Sequence, residues 1–234
     1  NKENEFLTEG FARVLNRELH NMREMTVISN SSAFSYKGSP KPDSVIADEL
    51  GVDYLLKGSL RSTSSIIKFE FNLFDSRKNK LVWHETYNEQ ASNILVNVQE
   101  RVLDATARML DREYSPDKHF ERANTLNAYI PYVEGTYYVG KYPQTGNDNQ
   151  IAMQKFSESI KKDSVFDDAY ASLAEAQIYH IIYEYTDQPM ILAIDAKKNV
   201  KKSLQLNPMN PLALATTGRI FWWIDHDIDS AQAY

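Results

Sequence analysis

The chain has no cysteine among its 234 residues. That excludes disulfides, a thiol nucleophile and a thiolate metal site, and it leaves the compartment open, because cysteine-free chains suit cytoplasm and periplasm alike. Glycine is scarce, at eight. Neither a Gly-X-Ser-X-Gly elbow nor a phosphate-cradling glycine loop occurs, since Gly38-Ser39-Pro40 and Lys57-Gly58-Ser59 lack the helix start such loops need. No apolar run approaches the roughly 18 residues of a membrane span, and the opening Asn1-Lys2-Glu3-Asn4-Glu5 is neither a signal peptide nor a methionine start. A basic excess is missing too. Of 26 basic and 32 acidic side chains, residues 1 to 112 carry 15 and 16, leaving 11 and 16 for the remainder. The acidic second half argues against phosphate-backbone binding, whose affinity comes from Lys and Arg.

What is present is ordinary globular material, 42% hydrophobic and 25% charged, long enough for two modest domains. Leu7, Phe11, Val14, Leu15 and Leu19 fall at helical spacing over residues 5 to 21 and predict an amphipathic helix that covers a sheet. A short strand is expected from Glu24 to Asn30, followed by a polar turn through Gly38-Ser39-Pro40. Asp43 is the expected N-cap of a helix ending at Leu50, with Gly51 in the left-handed cap position. Alternation then takes over: Tyr54, Leu56, Gly58 and Leu60, next Ile67, Phe69, Phe71 and Leu73, and finally Leu81, Trp83 and Tyr87 on one face. Period two with one wet face predicts a meander of three antiparallel strands. Helical spacing returns over residues 91 to 111 at Ile94, Val98, Val102, Ala105 and Met109.

Periodicity disappears around Pro116, so residues 1–112 are read as an α+β domain and 113–124 as a linker. Beyond it, residues 125–234 read as helices that repeat. Ala152, Phe156, Ser159, Ile160, Asp163, Ser164, Ala169, Tyr170 and Ala174 recur 44 residues later as Ala196, Val200, Ser203, Leu204, Asn207, Pro208, Ala213, Leu214 and Gly218. Length alone points to armadillo or HEAT units, because tetratricopeptide repeats have a period of about 34. The internal pattern favours the latter. Small residues sit in the first helix of each unit (Gly135, Ala174, Gly218) and in the second (Ala152, Ala196). The step Asp163-Ser164 or Asn207-Pro208 ends each pair, and the region between helices is lengthened around Tyr179 to Pro189.

Three segments carry a family resemblance: Thr26-Val27-Ile28-Ser29-Asn30-Ser31-Ser32-Ala33-Phe34-Ser35-Tyr36-Lys37-Gly38, Glu49-Leu50-Gly51-Val52-Asp53-Tyr54-Leu55-Leu56-Lys57-Gly58-Ser59-Leu60-Arg61 and Leu81-Val82-Trp83-His84-Glu85-Thr86-Tyr87. They resemble the TolB amino-terminal-like domain of bacterial signalling proteins, which usually precedes helical repeats. The resemblance implies a small, mostly antiparallel sheet covered by helices, followed by all-α tetratricopeptide-like repeats. It also implies a missing first strand of the Ile-Ala-Val-Leu-Pro-Phe type before Asn1, and the chain stops inside a third repeat. An excerpt of a longer protein, truncated at both ends, is therefore expected.

Chemistry is sparse. His180 and Glu184 stand at i, i+4, a spacing that suits a metal pair but whose apolar surroundings favour an interface histidine. Asp225-His226-Asp227-Ile228-Asp229 is metal-like in composition but lacks the full calcium-loop pattern, and reads as a polar turn with an Asp cap. Ser31, Ser32 and Lys37 make a conceivable anion site whose plainer reading is turn hydroxyls satisfying the backbone. No catalytic, cofactor or metal residue is assigned. Binding is expected instead in a groove formed by the first helix of each pair, with Tyr132, Thr136, Ser172, Glu175, Tyr179, Arg219 and Trp222 facing a protein or peptide. By resemblance, the function is regulatory and non-catalytic, relaying a partner or state signal to a nucleotide cyclase or winged-helix DNA-binding domain. A cytoplasmic location is expected. The alternative is the periplasmic sensor region of a membrane-anchored transcription regulator, if a span lies upstream.

Overall fold

The computed structural model describes residues 2–22, 25–62, 66–90, 94–111, 126–141 and 144–233. The chain divides into two compact units, Asn1–Asp117 and Lys118–Tyr234. The roles expected of Glu24, of the side chains of Ile67 and Ile94, and of the linker 113–124 fall outside the described residues.

The first unit is an α+β domain. Helices α1 (Lys2–His20), α2 (Asn30–Phe34) and α3 (Asp43–Leu50) precede strands β1 (Tyr54–Ser62), β2 (Ile66–Asp75) and β3 (Lys80–Gln90), and α4 (Ile94–Met109) follows. The sheet is antiparallel in the order β1-β2-β3. Alternation along β2 sends Phe69, Phe71 and Leu73 to one buried face. Helix α1 covers that face, with Phe11 ring centroids 5.3 Å from Phe69 and 6.2 Å from Phe71. Val14, Leu15 and Leu19 of α1 and Val98, Val102 and Leu103 of α4 complete the core, each burial contributing about 1.5–3 kcal/mol. Gly58 stands opposite Phe71 in the register, and a Cβ there would lie 2.9 Å from the Phe71 ring. The missing side chain is what lets the ring lie across β1.

Four expectations are corrected. No strand forms over residues 25–29, which pair with neither open edge of the sheet, and backbone groups outside a ladder need other partners. The Ile28 carbonyl accepts instead from Asn16 Nδ2 at 3.0 Å, and Ser29 caps α2 by accepting from the Ser32 N–H at 3.3 Å. Pro42, not Asp43, holds the cap position of α3; Asp43 is the first helical residue and pairs with Lys57 at 2.6 Å. Leu81 is 50% exposed, because the register slips between Leu73 and Phe74. Leu73 faces Trp83 while Phe74 faces Leu81, so Val82 is an inserted residue that puts Leu81 out of phase with Trp83 and Tyr87. Met109 ends α4 half exposed, and the buried stripe stops at Ala107. Gly51 does take the left-handed position, φ 66, closing α3.

The second unit is all helix: α5 (Leu126–Val139), α6 (Gly146–Lys162), α7 (Asp167–Ile182), α8 (Pro189–Leu206), α9 (Pro211–Ile220), a π-helical turn (Phe221–Asp225) and α10 (Ile228–Ala231). The repeat seen in sequence is geometric. Asp163 and Asn207 end α6 and α8 with matching backbones, φ −143, ψ 102 and φ −144, ψ 97. Each donates its N–H to the serine four residues back, at 2.9 and 2.8 Å. Each side chain accepts from the N–H two residues on, at 3.0 and 3.2 Å. This Asx turn starts α7 and α9 in equivalent places. The packing between paired helices is complementary. Gly135 of α5 faces Phe156 of α6, whereas the equivalent positions one unit later hold Ala174 and Val200 in one core cluster with Ile178, Ala196 and Ile220.

Candidate functional site

The residues expected to line a groove separate into two groups. Tyr132 is 1% exposed, its ring 4.8 Å from Phe166, 5.8 Å from Tyr129 and 6.0 Å from Phe156. It fills the interior and offers a partner no surface. Ser172 is buried as well, and Thr136 is partly buried, its hydroxyl donating to the Tyr132 carbonyl at 3.0 Å. Trp222, by contrast, is half exposed on the π-helical turn, as is Trp223.

Glu175, Tyr179 and Arg219 come together. Glu175 and Tyr179 are one turn apart on α7, and Arg219 lies in the last turn of α9. Arg219 Nη1 donates to Glu175 Oε1 at 2.9 Å, and its guanidinium sits 5.6 Å from the centre of the Tyr179 ring. Burial first, and then the Glu175 carboxylate, raise the Tyr179 phenol above its ordinary value. The ring is therefore a neutral hydrogen-bonding and stacking surface, and the arrangement recognises a guanidinium by combining a carboxylate with an aromatic face.

An aromatic column continues from this cluster. Tyr179 stacks with Tyr183 at 6.0 Å and an interplanar angle of 27°, and Tyr183 lies 5.9 Å from Tyr185. Tyr185 packs edge-on to His180 at 5.5 Å and donates its hydroxyl to the Gln144 carbonyl at 3.0 Å. His180 Nδ1 lies 3.0 Å from Asn149 Oδ1, and burial lowers the imidazole below its usual value. Helix α7 ends at Ile182 and Glu184 has φ 57, so His180 and Glu184 do not share a helix face. Asn149, Tyr183 and Tyr185 escape a sequence reading based on the small-residue register. A motif with Gly would have marked the helix end, and Glu184 stands there instead.

The remaining candidates have structural partners. Lys37 forms an ion pair with Glu9, and the serines around it bond locally: Ser29 to Ser32, and Ser35 to the Ser32 carbonyl at 2.7 Å. Asp225 pairs with Lys197, while Asp227 caps α10, accepting from the Ser230 N–H at 3.0 Å. Among the described residues no cluster of His, Asp and Glu is placed to hold a metal ion, and no helix is long and apolar enough to cross a membrane.

No protein-family model matches the chain. Over 97 residues it is 28% identical to a Rhizobium meliloti (strain 1021) protein named "Putative adenylate cyclase 3". The aligned stretch is 42% of this chain but spans only 16% of that relative's length.

Proposed function

We propose that this chain is a non-catalytic regulatory and protein-interaction region of a larger bacterial signalling protein, with the first unit a TolB amino-terminal-like domain and the second a stack of tetratricopeptide-like helix pairs. It relays a partner or state signal to an output domain, of which a nucleotide cyclase is the leading case. One observation carries the reading: the likeness to a protein named as an adenylate cyclase occupies a small fraction of that protein. Such a fraction suits an accessory region joined to a catalytic one. The three side chains on which chemistry would most readily rest are engaged, Lys37 and Asp225 in ion pairs and Asp227 in a helix cap. Helix pairs stacked in register supply the extended surface that partner recognition uses.

The coding sequence upstream of Asn1 tests the reading. A class III cyclase catalytic domain or a winged-helix domain there is the expected result. A transport or hydrolase domain in the same reading frame counts against it.

A further inference from the structure

We infer that the tyrosines at the α7–α8 connection form a docking surface for an arginine-bearing segment of a partner protein. The inference rests on the interaction role proposed above and names the chemistry of the partner. The molecule contains its own precedent, since Arg219 is held by the Glu175 carboxylate at 2.9 Å and the Tyr179 ring at 5.6 Å. Tyr183 repeats that aromatic position one helical turn further on, stacked on Tyr179, yet it is 54% exposed. No described cation covers its outer face.

One side of the surface is anchored by contacts within the chain. Tyr185 is fixed by its bond to Gln144, by its ring against His180, and by Gly146, where a Cβ would lie 3.1 Å from the tyrosine ring. The Tyr185 N–H donates to the His180 carbonyl at 2.9 Å and the Glu184 N–H to that of Ile181 at 3.0 Å, a double closure of the helix end. Fixed aromatic rings lose little entropy on binding, so stacking energy appears as affinity.

Charge selects the partner's sign. Glu184 and Asp187 are exposed in the same connection as Tyr183 and Tyr185, with no ion pair among the described residues. Glu184 holds the left-handed position, φ 57, where glycine would be unstrained. Arginine fits better than lysine, because a planar, weakly hydrated guanidinium stacks on an aromatic face while accepting carboxylate contacts at its edge.

The test is fluorescence anisotropy of a labelled nonapeptide carrying three arginines among serines and glycines, titrated with residues 1–234, beside lysine and glutamate versions of the peptide. Saturable binding of the arginine peptide is expected, with the lysine version weaker by about threefold and the glutamate version inert. Tyr183→Ala should weaken binding about fivefold, whereas Tyr183→Phe, which keeps the ring, should stay within about twofold. Glu184→Gly should raise the unfolding midpoint, by removing the strain, and still weaken the peptide, an outcome no purely structural glutamate would give. Absence of saturable binding, or equal binding by wild type and Tyr183→Ala, overturns the inference. If the arginine peptide fails while surface variants of the second unit still alter the output of the full-length protein, only this inference falls. An output indifferent to that unit overturns the functional reading instead.

Discussion

Glu175 and Arg219 stand 44 residues apart, the length of the internal repeat, and their side chains meet at 2.9 Å. Each occupies the same place in the first helix of its unit, so the ion pair ties one repeat to the next. The Arg219 guanidinium also lies over the Tyr179 ring. A double-mutant cycle with Glu175→Gln and Arg219→Met, followed by urea unfolding, should return a coupling of about 1 kcal/mol, since the pair is partly shielded from solvent. Additive single effects would mean that the pair contributes nothing to joining the repeats.

The Gly135 and Phe156 contact makes a sharper prediction. A Cβ on Gly135 would fall 2.6 Å from Phe156 Cε1, and Phe156 is fully buried and has nowhere to retreat. Gly135→Ala should therefore destabilise by about 1–3 kcal/mol despite alanine's better helix propensity. The neighbouring unit holds Ala174 with Val200 at the equivalent places, so adding Phe156→Val should recover part of that loss. Thermal melts of the single and double variants check it.

His180 gives a pH dependence of defined sign. Its folded value is depressed, chiefly by burial, so the neutral ring is the form the fold prefers. The stability it contributes is complete above the unfolded value of about 6.5 and declines as pH falls below it. Urea midpoints measured between about pH 7.5 and 5, above the ordinary carboxylate range, should fall more steeply for wild type than for His180→Gln.

Asn210 pins two helix starts. Its amide nitrogen donates to Asp167 Oδ2 at 3.1 Å and Asp168 Oδ1 at 2.8 Å, while its oxygen accepts from the Ala213 N–H at 2.9 Å as the N-cap of α9. Asn210→Ala should cost about 1–2 kcal/mol. Asn210→Asp keeps the cap acceptor but sets a third carboxylate against two others, and should cost about 3 kcal/mol or more at neutral pH. That excess should shrink on acidification, because one protonated carboxyl restores the donor.

The sheet was legible because β2 has one buried face, so Phe69 and Phe71 alternate cleanly with Lys68 and Glu70. Alternation failed at Leu81, where the inserted Val82 breaks phase without leaving a mark in composition. Val27 and Ile28 look like strand residues, yet the Ile28 carbonyl is taken by the Asn16 side chain of α1, a contact that local sequence does not encode. In the second unit the 44-residue register pointed to Glu175 and Arg219, whose contact spans one repeat. The burial of Tyr132 is not legible locally, because the rings that enclose it, Phe156 and Phe166, arrive from distant positions in the chain. The exposure of Tyr183 follows from where α7 ends, and a glutamate with φ 57 signals no helix end in the sequence.

Cyclic AMP formation from ATP, measured for purified residues 1–234 and for a longer protein in which a cyclase domain adjoins them, distinguishes a regulatory region from an enzyme. Turnover is expected only where the cyclase domain is joined, with a rate shifted by exposed variants in the second unit such as Tyr183→Ala or Trp222→Ala. Turnover by residues 1–234 themselves, abolished by Lys37→Ala or Asp227→Ala, would contradict the regulatory reading.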